Sequence, residues 1–569
     1  MVQRVGVLVL SLGLMVVSTG TTMATSQAGD IQETRFYTGC EPGPAAPPPW
    51  PDPLEAHSVS TEAPEPVTLR VDLNAGASQQ SADATQSDQQ TANGTPSEQQ
   101  AADATQSGQQ SANDTSDQQA ADATQGELQG EAGSDRTQTE SAGGRPILGT
   151  GFNMENALWS CPEFRSLFRS EVLDPFQPAI VRLDSGLLPA APDYLPASEL
   201  GPAVYESMLS SAPYAHSWSF FRRLNRAGVK IVLGIWGGPS QFTDDGTRRG
   251  LLLPRYYDDY VEYVATLVHF LVRIQQVQLW ATTIANEPDG GDGNQIPPDG
   301  LAYIAHQLAP LVAQDGVKLY GPDTADGADA LSYLPPLLSD PDVLDNMAFV
   351  GFHQYFPSDD VGRVVDLVHR YRTDLPVIVT EYTSFNFGDL DAGQEAHNQY
   401  GFTLDIASTL LSHFREGADA ALYWDAVDYL QPGHDSITRW GLLEGPAEDF
   451  KRRVRYYGLL QILPYLQPGA VVLPDEQWGG DDLNTLEVRT PSGQPAIILV
   501  SEAFGSIDLN VDLPGSRYED WTVTRTARGH LAEVVGRLKL SGDQGQLTLP
   551  PRSITTLFPA GAESLVSDT

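Results

Sequence analysis

Basic residues are scarce in this sequence, and lysine is nearly absent. Only 33 of the 569 residues are Lys or Arg, against 74 Asp and Glu, so the formal net charge is −41. Nucleic acids and anionic membranes bind basic surfaces, because their phosphates need positive charge. The composition therefore argues against nucleic acid as a partner. Such an acidic surface is typical of a halophilic protein working at high salt, or of an acidic secreted product of a G+C-rich genome, and both interpretations stay open.

Cysteine and long apolar runs are also rare. The two cysteines, Cys40 and Cys161, could form one disulfide between the N-terminal region and the rest of the chain, or remain two thiols. The apolar run Val5–Val17 is too short for a membrane span. Arg4 precedes this run and the small-x-small site Ser26-Gln27-Ala28 follows it, which predicts a signal peptide over residues 1–28. We expect a secreted, extracellular protein with no membrane insertion after signal removal.

Several catalytic signatures are missing. The sequence has no HExxH motif or clustered metal-ligand spacing, no Gly-rich dinucleotide fingerprint after the first predicted strand, and no nucleophilic Ser or Cys paired with a base. These absences argue against zinc-dependent hydrolysis, nicotinamide chemistry and Ser or Cys hydrolases. We predict an enzyme that needs no metal and no organic cofactor.

The N-terminal part of the chain contains three kinds of segment. Residues 29–66 are Pro-rich and predict an extended tether. Residues 67–74 begin with the alternating stretch Val67–Leu73, which predicts one half-buried strand that must join a sheet elsewhere. Residues 75–144 contain a repeat of roughly ten residues, rich in Gln, Ala, Asp, Thr and Ser. It has almost no large apolar side chain to offset ordering entropy, which predicts disorder.

Residues 145–450 alternate short apolar runs with amphipathic stretches, the pattern of βα units around a parallel sheet. Eight runs predict strands: Ile147–Phe152, Ala179–Leu183, Val229–Trp236, Val277–Ala285, Val317–Gly321, Ala348–His353, Pro376–Glu381 and Ala420–Trp424. Helices are predicted at Ser217–Arg226, Tyr256–Ile274, Gly362–Tyr371 and Gln394–Phe414. The count favours a (β/α)8 TIM barrel over an open doubly wound sheet.

Residues 451–560 instead show short β-type runs separated by turn residues, which predict an antiparallel β-sandwich. Seven runs predict its strands: Ala470–Leu473, Leu486–Arg489, Ala496–Val500, Ile507–Val511, Trp521–Arg525, Gln546–Leu549 and Ile554–Phe558. With the isolated strand at Val67–Leu73 added, the sandwich is discontinuous, and residues 561–569 form a tail. The predicted fold class is thus α/β, a TIM barrel with a discontinuous β-sandwich.

Functional groups of a TIM barrel lie at the carboxyl ends of its strands. In this sequence those ends carry two glutamates, several aromatic residues and hydrogen-bonding groups: Asn153, Glu155, Arg182, Asp184, Trp236, Asn286, Glu287, Asp323, His353, Tyr355, Glu381, Tyr382, Trp424 and Asp425. Such a set suits hydrolysis of a neutral, hydroxyl-rich substrate.

Glu287 and Glu381 form the predicted catalytic pair. They follow the fourth and seventh strands, 94 residues apart, which is three βα units at about thirty residues each. Strands four and seven lie across an eight-stranded ring, so the two carboxyls face each other at its mouth. In glycoside hydrolysis a separation of about 5 Å indicates a retaining mechanism and about 6.5–9.5 Å an inverting one.

The motifs around these glutamates resemble clan A of the glycoside hydrolases, which are retaining enzymes on (β/α)8 barrels. Asn286-Glu287-Pro288 and Thr380-Glu381-Tyr382 carry the resemblance. The stretches Arg455–Val472 and Pro550–Thr556 further resemble the barrel-to-sandwich junction and last strand of glycoside hydrolase family 30, with family 39 as a nearby alternative. The resemblance spans about Pro146–Phe558, and the loop Glu287–Gly291 departs from it.

The resemblance implies that Glu287 is the general acid/base and Glu381 the nucleophile. Glu381 would be kept ionised by Arg182 and Tyr355, and Glu287 would need a raised pKa to hold its proton. The other predicted substrate contacts are Asn286 to the sugar 2-hydroxyl, Trp424 beneath the reacting ring, and Trp236, His353 and Tyr382 around it. Structural roles remain open for Arg182 as an ion-pair partner, His353 as a buried histidine, and the two tryptophans as core residues.

We therefore predict a monomeric, secreted, retaining glycoside hydrolase that cleaves β-linked oligo- or polysaccharides by double displacement. One alternative is a non-catalytic glycan-binding or cell-surface protein on the same scaffold. Another is a transglycosylase that uses the same residues. Asp428, His434 and Trp440 follow strand eight, where they could line outer subsites or belong to a solvated loop.

Overall fold

The computed structural model describes residues 67–71, 73, 144–184, 195–210, 217–355, 358–384, 400–429, 439–446, 449–474 and 482–561. The predicted signal peptide, the tether, the repeat up to residue 143 and residues 562–569 lie outside this part of the chain, as do Cys40 and His434. Cys161 is half of a disulfide. Within the described residues, no helix has both the length and the apolar character that a membrane span requires.

Eight parallel strands close into a barrel, in which β3 lies between β10 and β4 and the other strands follow in order. The barrel strands are β3 (Gly149–Met154), β4 (Ile180–Asp184), β5 (Lys230–Gly234), β6 (Leu279–Thr283), β7 (Lys318–Pro322), β8 (Met347–His353), β9 (Val377–Tyr382) and β10 (Ala420–Tyr423). Each lies within or beside a predicted apolar run. Both faces of a parallel barrel are covered, so these strands read as continuous apolar runs.

Two apolar layers hold the barrel together. Its interior is filled by a small cluster of buried side chains, Ile180, Val232, Ala281, Tyr320, Phe349, Ile378, Ala420 and Leu422. The other strand face packs against the helices in a much larger core. Side chains alternate between the two faces along each strand. The polar residues near the strand ends that point to the interior therefore meet above this interior apolar cluster.

Helices cover the outside of the barrel. They are α1 (Pro162–Phe168), α2 (Asp174–Phe176), α3 (Pro202–Leu209), α4 (Ser217–Arg226), α5 (Tyr257–His269), α6 (Pro298–Ala313), α7 (Gly327–Leu338), α8 (Pro341–Asn346), α9 (Asp360–Tyr371), α10 (Tyr400–Arg415) and α11 (Val454–Leu460). A π-helical turn, Phe270–Ile274, extends α5 to the predicted end of that helix.

The β-sandwich consists of a three-stranded and a seven-stranded sheet. Its strands are β1 (Val67–Arg70), β2 (Arg145–Pro146), β11 (Val471–Val472), β12 (Leu483–Arg489), β13 (Pro495–Ser501), β14 (Ile507–Asp512), β15 (Asp520–Ala527), β16 (His530–Lys539), β17 (Gln544–Leu549) and β18 (Ser553–Pro559). The barrel and the sandwich together confirm the predicted fold class.

The chain enters the sandwich twice before it builds the barrel. β1 pairs with β14, with Val67 opposite Leu509, and this pairing is parallel within an otherwise antiparallel sandwich. β2 pairs antiparallel with β11. Residues 145–146, which the sequence assigned to the barrel domain, thus belong by pairing to the seven-stranded sheet. The other domain boundaries stay predictions.

β16 is a strand that the sequence pattern did not predict. It is the edge strand of the larger sheet and most of its side chains are exposed. Val534, for example, is 63% exposed. The pairing with β15 also shifts register twice. Irregular pairing and weak burial remove the regular alternation by which a strand is recognised.

Candidate active site

Six of the eight barrel strands bring predicted site residues to one end of the barrel. Arg182 lies on β4, His353 ends β8, and Glu381 lies on β9. The remaining predicted residues lie just beyond strand ends: Trp236 after β5, Asn286 and Glu287 after β6, Tyr355 after β8 and Trp424 after β10. Except for the two tryptophans and Tyr355, which are half-buried, these side chains are almost inaccessible to solvent.

A bulge in β9 points Glu381 into the barrel. Val379 pairs with Phe352 and Glu381 with His353, so β9 contains one extra residue relative to β8. A bulge of this kind re-aims the side chains beyond it. Thr380, which bonds to Asp323 in the interior, and Glu381 therefore share the inner face.

The same bulge places Tyr382 outside the site, and the predicted substrate contact for this residue is wrong. Its side chain is only 1% exposed and belongs to the core between barrel and helices. Its ring packs edge-on against His413 and Tyr423, with centroid distances of 5.5 and 5.4 Å. Adjacent residues on a strand point to opposite faces, so Tyr382 faces outward once Glu381 faces inward.

Glu287 and Glu381 lie on opposite sides of His353. One oxygen of each carboxyl and one ring nitrogen of His353 lie within 4.8 Å of one another. The distance is short enough for both carboxyls to contact one sugar ring, and it falls near the separation associated with retention.

Arg182 is the centre of the site and is fully buried. Its guanidinium has five N–H donors, and all five are used. Nε donates to Tyr320 Oη (3.0 Å), Nη1 to Asn153 Oδ1 (3.0 Å) and Glu381 Oε1, and Nη2 to Asn286 Oδ1 (2.6 Å) and Asp323 Oδ2 (2.8 Å). The guanidinium also lies over the Trp236 ring, 4.2 Å from its centroid. The arrangement fixes residues from several strands around one cation.

Asp323 supplies the permanent counter-charge to Arg182. Burial by itself would raise the pKa of Asp323, but the charge of Arg182 and hydrogen bonds from His353 and Thr380 hold it well below its usual range. Thr380 Oγ1 donates to Asp323 Oδ1 at 2.6 Å. Arg182 and Asp323 thus form an ion pair that stays charged under ordinary conditions.

Both oxygens of Glu381 accept hydrogen bonds. Arg182 donates to Oε1 and the Tyr355 hydroxyl donates to Oε2, the two donors expected from the sequence. Burial nevertheless raises the pKa of Glu381, helped by the charge of Glu287 and opposed by His353, Arg182 and the Tyr355 hydrogen bond. Since both oxygens act as acceptors, the contacts match an ionised carboxylate.

His353 connects the acidic groups of the site. Its Nδ1 is 2.8 Å from Glu287 Oε1, and its Nε2 is 3.4 Å from Glu381 Oε1 and 3.6 Å from Asp323 Oδ1. Burial lowers the pKa of His353, but the surrounding carboxylates outweigh burial and raise it to about 10. Glu287, His353 and Glu381 could also hold a metal ion by position. A metal would have to displace a proton from this imidazolium, because histidine binds metals in its neutral form.

Glu287 is held on both sides by the protein. His353 contacts Oε1, and the backbone N–H of Asp292 donates to Oε2. Glu287 itself has a φ of +40°, in the left-handed region. Its own N–H donates to the Asp323 carbonyl at 2.9 Å, which fixes the backbone at this turn.

Asn286 is also engaged within the protein. Its carbonyl oxygen accepts from Arg182 at 2.6 Å, and its amide nitrogen donates to the Asp292 carbonyl at 2.7 Å. The amide therefore ties Arg182 to the loop after Glu287, and its predicted contact to a sugar hydroxyl stays a prediction.

A pocket opens beside this network. Its lining consists of Asn153, Met154, Glu155, Arg182, Trp236, Trp424, Asp425 and Tyr429. The rings of Trp236 and Trp424 lie 5.9 Å apart at their centroids, tilted by 35°. Two half-buried aromatic rings give the pocket apolar surfaces of the kind that pack against the C–H faces of a sugar.

Two further acids line this pocket. Glu155 is 2% and Asp425 1% exposed. Burial and the charge of Asp428 raise the pKa of Asp425 well above its usual range, against the opposing effect of Arg455 and Arg453. The raised pKa favours a protonated Asp425, which can donate a hydrogen bond as well as accept one.

The described part of the loop after β10 is buried and ordered by ion pairs, so it is not a solvated loop. Asp428 is 0% exposed and accepts from Arg453 and from the backbone N–H of Gly441. Trp440 is half-buried and its carbonyl accepts from Tyr423 Oη at 2.6 Å.

Four residues of the network were absent from the predicted contacts: Asn153, Tyr320, Asp323 and Thr380. Asn153 and Asp323 were among the polar groups predicted at the strand ends, but no contact was assigned to them. Tyr320 and Thr380 lie within strands. A polar side chain there cannot be assigned to the barrel interior until it is known which residues of the strand point inward.

The comparisons with known proteins agree with this geometry. Residues 203–413 match the family model described as the glycosyl hydrolase catalytic core, and this stretch contains Glu287 and Glu381. The match confirms the predicted class of protein, a glycoside hydrolase. A search of curated proteins finds no significant match.

Solved structures narrow the resemblance. A family 30 endoxylanase from Clostridium papyrosolvens superimposes with a TM-score of 0.56 at 16% identity, covering 73% of this chain and 97% of the other. An endo-β-1,6-glucanase superimposes with a TM-score of 0.53 at 15% identity, covering 73% of this chain and 92% of the other. A family 39 glycoside hydrolase from Bacteroides cellulosilyticus superimposes with a TM-score of 0.51 at 14% identity, covering 73% of this chain and 81% of the other. The predicted resemblance to family 30 and family 39 enzymes is thus confirmed at the level of the fold.

Replacing Arg182 by Lys should strongly destabilise the barrel, although the positive charge is kept. A lysine ammonium has three donors and no planar fork, so buried acceptors of Asp323 and Glu381 would lose their partners. We expect the free energy of unfolding in urea to fall by about 3–5 kcal/mol, with loss of any glycosidase activity. Arg169→Lys, at an ion pair whose arginine is 70% exposed, is the control and should change stability by less than about 0.5 kcal/mol. Equal stability of the two variants would contradict the central role of Arg182.

Asp289, two residues after Glu287, should make stability depend on pH. Burial and the charge of Glu287 raise its pKa to about 7, against the hydrogen bonds that its oxygens accept from Ala325 N at 3.1 and 3.0 Å. The folded protein therefore retains this proton up to a higher pH than the unfolded chain, so stability falls as pH rises from about 4 to about 7.

Asp289→Asn removes this titration and keeps an acceptor for Ala325. We expect it to raise the free energy of unfolding relative to the parent by about 2–3 kcal/mol more at pH 8 than at pH 5. Denaturation at both pH values measures the difference, and Asp374→Asn, at a side chain that is 84% exposed, is the control. A pH-independent difference for Asp289→Asn would refute the assignment.

Proposed function

We propose that this protein is a secreted, retaining glycoside hydrolase that cleaves β-linked glycans by double displacement, with Glu381 as nucleophile and Glu287 as general acid/base. The observation that carries the proposal is the approach of Glu287 and Glu381 oxygens to within 4.8 Å of each other. A separation near 5 Å leaves room for direct attack on the sugar and too little for an intervening water.

In the first step Glu381 attacks the anomeric carbon while the bond to the leaving oxygen breaks. Glu287, in its protonated form, transfers its proton to that oxygen, and a glycosyl ester of Glu381 forms. The hydrogen bonds from Arg182 and Tyr355 orient the attacking carboxylate. The same two donors stabilise the carboxylate of Glu381 again when the ester bond breaks in the second step.

In the second step Glu287 is ionised and removes a proton from water. The water oxygen attacks the anomeric carbon, the ester bond breaks, and the sugar leaves with its original configuration while Glu287 regains its proton. His353 lies beside both carboxyls. Its positive charge compensates the negative charge, which moves from Glu381 to Glu287 when the ester forms.

The lining of the pocket supports a neutral sugar as substrate. Two aromatic rings offer apolar faces, and Glu155 and Asp425 offer acceptors for hydroxyl groups. Arg182 is the pocket-lining cation, and its N–H donors are all engaged by the protein. A carboxylated sugar would meet buried acids without a free positive partner, which is unfavourable.

Secretion and the monomeric state belong to the same proposal. The apolar segment near the N-terminus and the small-x-small site at Ser26–Ala28 support export, and a polysaccharide substrate would be met outside the cell. An oligo- or polysaccharide is the expected partner.

Replacing Glu381 by Ala should reduce turnover by at least about 10⁴-fold, because no ester can form. Added azide would occupy the vacated space and attack in a single displacement, so any azide product should have inverted configuration.

Proton NMR of the first-formed anomer, on a panel of β-glycans at high and low salt, identifies the sugar and the stereochemistry for the parent enzyme. Full activity of Glu381→Ala would refute the assignment. Saturable binding without hydrolysis by the parent would favour a glycan-binding protein. Products of increased mass would favour a transglycosylase.

Glu287→Gln should slow substrates with poor leaving groups far more than activated aryl glycosides, since an activated leaving group departs without a proton. We expect a loss of at least about 10²-fold for alkyl or sugar leaving groups. Rates over a series of aryl β-glycosides of graded leaving-group pKa measure this effect. A uniform loss across the series would contradict the role of Glu287 as an acid.

A further inference from the structure

The loop after Glu287 folds back over the carboxyl of this residue. Pro288–Gly293 reverses direction so that the Asp292 N–H donates to Glu287 Oε2. The Asp292 carbonyl then accepts from Asn286 Nδ2 at 2.7 Å. One residue of the loop thus contacts both side chains that precede Pro288.

Hydrogen bonds and an ion pair connect this loop and the adjoining Asn294 to the loop after β5. Asn294 Oδ1 accepts from Gly238 N at 2.6 Å, and Asn294 Nδ2 donates to the Arg248 carbonyl at 2.9 Å. Arg249 forms an ion pair with Asp292, with Nε and Oδ1 2.7 Å apart. The position of the Asp292 N–H is therefore set from outside the active site.

Gly291 is the point of closest approach between the loop and the carboxyl. A Cβ at this position would lie 2.1 Å from Glu287 Oε2 and 2.7 Å from Glu287 Cδ. Both atoms belong to the end of a side chain that can rotate. The third neighbour, Glu287 Cβ at 3.0 Å, would have to give by only a few tenths of an ångström. Gly293 differs, because a Cβ there would lie 1.8 Å from the backbone oxygen of Asn286. A methyl at Gly291 would thus displace the carboxyl, whereas one at Gly293 would displace the backbone.

We propose that the loop Pro288–Gly293 is the positioning element for the acid/base carboxyl, and that Gly291 is its key residue because it leaves room for the Asp292 N–H to reach Glu287. The inference rests on the role of Glu287 proposed above. The Asp292 N–H and His353 hold the carboxyl from two sides, so that it stays beside the leaving oxygen in the first step and beside the water in the second. Gly291 is a positioning residue and contacts no substrate.

The test is Gly291→Ala, since its added methyl contacts mainly the Glu287 carboxyl and the variant should fold. We expect circular dichroism and the thermal unfolding midpoint to stay close to those of the parent. Hydrolysis of substrates with poor leaving groups should fall at least tenfold in kcat/KM, while glycosylation by the most activated aryl glycosides should change less than threefold. The dependence of rate on leaving-group pKa should steepen towards that of Glu287→Gln.

Two comparisons separate positioning from general damage. Gly505→Ala, in a loop of the sandwich where a Cβ meets nothing within 4 Å, should leave every rate unchanged. Adding Gly291→Ala to Glu287→Ala should have little further effect, because the two atoms closest to the new methyl are already removed. An equal loss in both backgrounds would show that Gly291 does not act through Glu287.

The outcomes also distinguish this inference from the proposed function. If Glu287→Gln shows the leaving-group signature and Gly291→Ala does not, the positioning role fails and the function stands. If the parent hydrolyses glycosides but Glu287→Gln has no effect, the acid/base assignment fails and this inference fails with it. A uniform loss in Gly291→Ala across all leaving groups would also overturn the positioning role.

Discussion

The active site depends on a single buried cation. Arg182 lies beneath the mouth of the barrel with every N–H engaged, and its acceptors come from β3, β7 and β9 and from the segments after β6 and β7. A buried guanidinium without such partners would be strongly destabilising. The barrel therefore stays closed around it only when the strands hold Asp323, Glu381 and Asn286 within bonding distance. The same guanidinium that stabilises this end of the barrel also orients the carboxylate of Glu381, the proposed nucleophile.

The charges of the site form a balanced set. Arg182 and protonated His353 supply two positive charges, and Asp323 holds one permanent negative charge. In the proposed mechanism, Glu381 and Glu287 would carry the remaining negative charge in turn. The charge would then move between these two carboxyls in a site where charges are otherwise expensive to bury.

The sequence allowed the barrel and the close approach of Glu287 and Glu381 to be predicted because both follow from strong local signals. Apolar runs of parallel strands are unbroken, and Glu287 directly follows one such run, before a proline that ends pairing. Tyr382 shows the limit of this reasoning. Which of two adjacent residues faces the interior depends on a one-residue bulge in β9, and register relative to β8 and β10 is not encoded within β9 itself.

His353 shows a second limit. Its place at the end of β8 could be predicted, yet its position between two carboxyls depends on three strands meeting in space. Asn286 is similar, because its hydrogen bonds to Arg182 and to the loop after Glu287 could not be foreseen from its place after β6. β16 was missed for a different reason, since an exposed and irregular edge strand carries no burial pattern.

The parallel pairing of β1 with β14 has a consequence for the order in which the molecule is built. Val67 is among the first described residues to leave the ribosome, and its partner Leu509 is among the last. The smaller sheet of the sandwich therefore cannot be completed until residues 507–549 have been synthesised, and its closure joins strands 442 residues apart. Such non-local pairing favours slow maturation, during which the β14 edge has no neighbour on that side and is open to wrong partners.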